Sequence, residues 1–325
     1  MARIFPITCA VLAVCVLAGC TATQEVQTYI RDAHVTGPVA SPPVHVVTDH
    51  SKNAVTFSFY AVQQGRDNLA GNIEGSGTNG WLYAPELVQR PDGSTSYARV
   101  IPQYNMDWKR PEFSGGIDLD IAWEGMALTV GGAFSRASGA SRLGWQAGVG
   151  FFTREQRPVR VRLDLGVFAQ YLEYQARTAT ITTVKTEWFF DNSTTSVDTA
   201  YYFDRDTKGG IGYYGSLTIN TALPSWPVDL FLQFIYIDQP VLSYTPVSRT
   251  TTDFLLFLPI QSTSGSGEIA TRASFIGLTP GVYIEPTPDI ILTGGVRALL
   301  DVSDTFKEPN IILMPFVQLG FRVGM

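Results

Sequence analysis

The chain has 325 residues, with 23 Lys or Arg against 29 Asp or Glu and a net charge of −6. Arg3 is the only charge in the first twenty residues, so the remainder is more acidic still, which argues against nucleic acid as a partner. Charged residues make up only 16% of the chain, below the roughly one quarter usual in soluble domains, while Gly (30), Phe (19) and Tyr (14) are abundant. That balance suits a sheet whose outer face is not wetted by water.

The first element in chain order is a leader. Arg3 provides a short positive start and Ile4 to Val16 an apolar run, shorter than the about 20 residues a spanning helix needs. Leu17-Ala18-Gly19-Cys20 then resembles the bacterial lipobox in all four positions. The resemblance implies cleavage before Cys20, a diacylglycerol on its thiol and an acyl group on the new amino terminus, with no other cofactor expected. The alternative is an ordinary signal peptide in which Cys20 is incidental. Thr21, in place of Asp, is compatible with sorting to the outer membrane. Cys9, Cys15 and Cys20 are the only cysteines, which excludes a disulfide framework or Cys-rich metal site from the rest.

From Thr21 to Asn53 no periodicity survives, and Pro38, Pro42 and Pro43 interrupt the segment. It reads as a flexible periplasmic tether, residues 20–53 once Cys20 is included, although entry into a barrel lumen remains open to it.

Beyond Asn53 period-two alternation recurs and helical spacing does not. Ten strands are expected: Ala54–Val62, Phe113–Trp123, Met126–Ser135, Leu143–Phe152, Val159–Tyr174, Ile211–Ala222, Val228–Asp238, Glu268–Ile284, Ile290–Asp301 and Ile311–Val323. Apolar side chains hold one parity, and Gly, Thr, Gln or charges the other. The connections decide the architecture. Glu124-Gly125, TREQRP, LPSWP and EPTPD are short, and they alternate with longer ones that reach about 50 residues after the first strand. This rhythm predicts an all-β fold: a transmembrane antiparallel up-and-down barrel over residues 54–325, most simply of ten strands, with eight or twelve still possible. Trp123, Trp226 and Tyr283 at one end, and Tyr171, Tyr174, Tyr213 and Tyr236 at the other, suggest interfacial girdles.

The pattern over residues 54–325 resembles small outer-membrane β-barrels. Gln318, Gly320 and Val323 match the polar, glycine and hydrophobic places of their carboxyl-terminal assembly signal, while Met325 stands where that family prefers Phe. The resemblance implies outer-membrane lipid and lipopolysaccharide as surroundings and the barrel assembly machinery as a partner during insertion.

Chemistry is sparse. Barrel proteases of the omptin type share the strand number but work through histidine, and His34, His45 and His50 all precede the first barrel strand. Those mechanisms are unavailable unless the tether reaches them, so no catalytic residue is assigned. Asp204 and Asp206 open a D-x-D-x-x-G run that lacks the acidic residue needed to complete a calcium loop, and a polar loop is the simpler reading. Asp118, Asp120, Arg160, Arg162, Asp164, Arg297 and Arg322 share the inward parity. Buried charges must pair, so an internal salt-bridge plug is expected, with a conducting pore as the alternative. Two hairpins, Ala176–Phe203 and Leu242–Ser274, continue past membrane height, the second turning around Ser262–Gly267. Trp188, Phe189, Phe190, Tyr201 and Tyr202 are candidates for contacting an envelope or surface partner; packing of the hairpins on one another as a rim is the other reading. The function expected is non-enzymatic, structural or partner-docking, with a narrow solute channel second.

Overall fold

The computed structural model describes residues 21–48, 53–65, 68–73, 84–89, 95–100, 104–137, 140–153, 158–187, 193–221, 228–255, 258–303, 305–306 and 311–324. Strands are numbered in chain order. β1 (Thr21–Thr36) comes first and β2 (Ala54–Gln63) opens the wall. β3 (Leu69–Ile73), β4 (Ala84–Gln89), β5 (Thr95–Val100) and β6 (Tyr104–Lys109) fall in the first long connection. The wall continues with β7 (Phe113–Trp123), β8 (Met126–Ala137), β9 (Ala140–Phe152), β10 (Val159–Glu187) and β11 (Ser193–Thr221). It ends with β12 (Asp229–Leu255), β13 (Leu258–Thr287), β14 (Ile290–Asp301) and β15 (Ile311–Gly324).

Each wall strand pairs antiparallel with the next. β2 pairs with both β7 and β15, which closes a ten-stranded barrel and leaves no edge around its wall. All ten expected strands are present. The alternation sets their faces: Leu163, Leu165 and Val167 stand exposed on the outside while Arg162 and Asp164 are buried within. An apolar exterior around a polar interior is the arrangement of a membrane barrel. Among the described residues, two of the short connections hold as turns, at Glu124-Gly125 and at Pro288-Asp289. Trp123 pairs with Met126, so Glu124 and Gly125, with φ of 42° and 90°, form a two-residue turn with both angles positive, as a type I′ hairpin requires.

Wall glycines make room for large inward side chains. Tyr60 lies directly across from Gly116, Phe168 from Gly212, Tyr214 from Gly166 and Phe231 from Gly281, and in each pair the ring covers the glycine. A Cβ on Gly166 would fall 2.5 Å from the Tyr214 ring. Gly166→Val should therefore overpack the lumen by about 1–3 kcal/mol. The heat-dependent gel shift of the folded barrel should come at lower temperature, and Tyr214→Ala in the same chain should restore it; no rescue would show that the ring is not the obstacle.

The girdles are partly as expected. Trp123, Tyr171, Tyr213 and Tyr236 face outward and are exposed. Tyr174 and Tyr283 instead point inward, because their positions carry the lumen parity; their hydroxyls meet Asp206 and Asn220. Trp226 lies outside the described residues.

Above the wall two hairpins rise. β10 and β11 stay paired from Val159↔Thr221 to Glu187↔Ser193, and β12 and β13 up to Leu255↔Leu258. The second reversal therefore comes after Leu255 and before Leu258, and not at Ser262–Gly267, whose residues pair with 247–252 in the ladder. Asp204 and Asp206 are in β11, opposite Ala176 and Tyr174, so the D-x-D-x-x-G run is extended strand and neither the calcium loop nor the polar loop expected of it.

The largest correction concerns the tether. Thr21–Thr36 is a strand, not a flexible linker. It pairs with β10 along its length (Thr21↔Glu187 to Thr36↔Glu173) and with β12 from Thr21↔Leu255 to Thr28↔Ser248. Its lower part pairs in parallel with β6, which pairs with β3. The two hairpins and β1 thus make one tall sheet, a stalk, instead of two separate projections.

Candidate functional site: the occupied lumen

Residues 37–48 leave β1 and run down the inside of the barrel to Asn53, which stands beside the Glu124 turn and receives the Glu124 amide (3.3 Å). They form no strand. A buried backbone without sheet neighbours must find partners elsewhere. Pro38, Pro42 and Pro43 carry no N–H, which removes three donors from the problem. Side-chain amides from the wall meet several of the remaining backbone groups. Gln64 accepts from the Val39 amide (3.0 Å) and donates to the Val39 carbonyl (2.9 Å), reproducing the paired bonds of a ladder with one side chain. Asn220 does the same at Val47, at 3.1 and 2.7 Å. Gln239 accepts from the Ala40 amide (2.7 Å) and Gln318 from the Val44 amide (3.1 Å). Val39, Val44, Val46 and Val47 are buried against the inner wall.

The charge cluster lies in the same space, and all seven expected residues are buried. Its pairing differs from the simple expectation. Arg162 forks onto both oxygens of Asp120 (2.8 Å each) and donates its Nε to Asp164 (2.8 Å). Asp118 is bonded by His45 Nε2 (2.9 Å) and by Gln146 (3.1 Å). His45 Nδ1 faces Asp164 at 3.7 Å. Arg297 holds Ser41 (2.8 Å) and the Pro42 carbonyl (2.9 Å), and Arg160 the Val47 carbonyl (3.3 Å), so both grip the lumen segment. Arg322 sits lower, on Glu285 (2.8 Å) and the Pro288 carbonyl (3.1 Å).

Sequence reasoning set His45 aside as a tether residue, and the structure carries it to the centre of the cluster. Its two ring nitrogens face carboxylates, and the cavity beside it, bounded in part by Thr56, Ser58 and Asp120, has about 30 Å³, room for a single water.

The outer mouth is covered. Trp108 of β6 is fully buried, donates to the Gly37 carbonyl (2.9 Å) and packs on Phe306 (5.7 Å) and Phe275 (6.2 Å). Arg110 donates to the Gln64 carbonyl (2.8 Å), joining this lid to the wall.

On the stalk, Tyr201, Tyr202 and Phe203 are exposed on consecutive positions, hence on both faces of the ribbon. Arg177 lies over the Tyr201 and Phe203 rings at 5.4 and 5.9 Å. Trp188, Phe189 and Phe190 fall outside the described residues, as do Cys20 and Met325. Among the described residues no strand lies along the second edge of β11 from Ser193 to Gly212. Gln318 turns into the lumen, Val323 faces outward, and Gly320 lies close against Ile291.

No family model matches the sequence, and no curated protein matches it significantly. Solved structures that align with the chain include the outer membrane protease OmpT from Escherichia coli, at 7% identity over 93% of this chain and 95% of that one, with a TM-score of 0.26. A TodX monoaromatic hydrocarbon channel mutant aligns at 6% identity over 83% and 89%, TM-score 0.28. A Pseudomonas aeruginosa FadL homologue aligns at 7% over 92% and 89%, TM-score 0.21. Likeness at these scores carries no argument about function, and the barrel rests on its own strand pairings.

Proposed function

We propose that this chain is an outer-membrane lipoprotein barrel, closed by its own amino-terminal segment, that works without catalysis by holding a β stalk outside the cell for a surface or envelope partner. The observation that carries this reading is the lumen segment itself. Residues 37–48 fill the bore, bonded by Gln64, Gln239, Gln318 and Asn220, and the Trp108 lid covers the mouth. In this reading a bore so occupied is closed to solutes. The exposed aromatics at Tyr201–Phe203 and the charged edge of β11 give a partner something to bind. In this reading Cys20 carries the diacylglycerol and acyl groups, the outer face meets lipid and lipopolysaccharide, and Gln318, Gly320, Val323 and Met325 guide insertion by the assembly machinery.

The test is conductance. Purified protein in planar bilayers should give no ohmic steps at neutral pH; regular steps from the intact chain would favour the narrow-channel reading instead.

A further inference from the structure

β1 fixes where the amino end of the mature chain stands. Thr21 pairs with Glu187 of β10 and Leu255 of β12, the last described residues of both hairpins before they reverse. The chain then descends through β1, passes the lid at Gly37, traverses the lumen and ends beside the Glu124 turn. That turn belongs to the short-loop end of the barrel, which in an outer-membrane barrel faces the periplasm. Thr21 is therefore on the opposite side. Cys20, outside the described residues, is joined to Thr21 by one peptide bond, so its Cα lies 3.8 Å from that of Thr21.

The height of the stalk follows from the same register. Tyr171, exposed and outward-facing, marks the outer interface, and β10 continues from there to Glu187. At 3.3 Å per residue that is about 50 Å of strand, or about 40 Å of height at a barrel-like tilt. An acyl chain spans about half of a 30 Å hydrocarbon core, roughly 15 Å. Acyl groups on Cys20 cannot reach the membrane that the barrel spans while β1 stays paired. Nor can Cys20 lie in the inner leaflet unless β1 leaves the stalk and residues 37–48 leave the lumen.

We propose that the barrel carries its own acylated amino end to the tip of the exterior stalk, where the acyl groups enter a lipid surface other than the membrane the barrel spans. The proposal rests on the reading of Cys20 as acylated and of the barrel as an outer-membrane protein, and the experiment separates the parts.

Gln24→Cys, Thr23→Cys and Asn53→Cys are each made in the full chain and treated on intact cells with a membrane-impermeant maleimide. Positions 23 and 24 should label fully, and position 53 only after permeabilisation. Labelling of 23 and 24 only after permeabilisation would overturn the exterior amino end. In parallel, the wild-type chain and a Cys20→Ala chain exported by a non-lipoprotein signal are reconstituted into vesicles and mixed with protein-free phosphatidylethanolamine–phosphatidylglycerol vesicles. Wild type should bridge the two populations and Cys20→Ala should not; equal bridging, or none by wild type bearing the acyl mass, would overturn the second lipid surface. Absence of the acyl mass from wild type, with positions 23 and 24 still labelled, would sink the lipoprotein reading while leaving the exterior amino end standing.

Discussion

A chain lacking residues 24–48 should conduct ions where the intact chain does not. None of the ten pairings that close the wall uses these residues, so the barrel retains its hydrogen bonds without them. Keeping Thr21 to Thr23 leaves the expected leader and its expected cleavage site as they are. What changes is the bore. Gln64, Asn220, Gln239 and Gln318 lose backbone partners, and Arg160, Arg297 and His45's two aspartates lose theirs. In a dry interior such losses would be severe, but here water can enter and hydrate each freed group. The lid loses its parallel strand and its Gly37 acceptor at the same step. Planar-bilayer recordings should show clear ohmic steps from the truncated protein, and liposomes carrying it should release small solutes. A silent truncated barrel, still showing the gel shift of a folded wall, would mean that wall side chains alone occlude the bore and that residues 24–48 are dispensable for closure.

The second large effect is expected at Arg162. It holds three of the buried acidic oxygens, both of Asp120 and one of Asp164, with all contacts at 2.8 Å. Arg162→Met would leave two carboxylates facing each other and His45 in the middle of the bore. Removing one partner of a buried ion pair costs about 3–5 kcal/mol, because the other charge stays desolvated and alone. Denaturant unfolding in micelles should show that loss as a lower midpoint. Arg162→Lys should recover only part of it, since an ammonium cannot fork onto both Asp120 oxygens. Lys185→Met, which breaks an exposed pair with Glu187 on the stalk, is the control and should shift stability by no more than about 1 kcal/mol. Equal effects at positions 162 and 185 would show that the lumen network adds nothing specific.

The wall was legible because lipid and lumen impose opposite demands on alternate residues. Leu163, Leu165 and Val167 against Arg162 and Asp164 announce both the strand and its faces. The loop rhythm then separates the two ends. The stalk was half legible: alternation beyond Tyr174 revealed the first hairpin, but the Ser- and Gly-rich run at 262–267 mimics a turn and misplaced the second. The ladder passes straight through it, and its register shifts fall elsewhere, at Pro240/Leu242, Tyr244/Val247 and Asp253/Phe254. The lumen segment was legible only as an alternative to a tether, with nothing in the sequence to select it. Its partners are single side chains, Gln64, Asn220, Gln239 and Gln318, scattered along the chain and each looking like an ordinary polar wall residue. Its prolines signal a linker because they forbid a sheet ladder, and in the bore that same lack of donors is what lets side chains satisfy the backbone. His45 was discounted with it, since only the descent of residues 37–48 brings an imidazole between Asp118 and Asp164.

The seam between β2 and β15 sets an order of events. The segment inside the ring comes before β2 in the chain, and its two ends emerge from opposite mouths of the bore. Once the first and last wall strands have zipped together, a folded stalk and the amino end would have to be pulled through a channel only ten strands around. Residues 37–48 must therefore already lie in the cleft when the wall curls, with the seam closing over them as a hoop closes on a cord. Assembly is then a problem of sequence in time: an early closure gives an empty ring with its leading end stranded on the wrong side, and native pairing energy alone offers no easy way back.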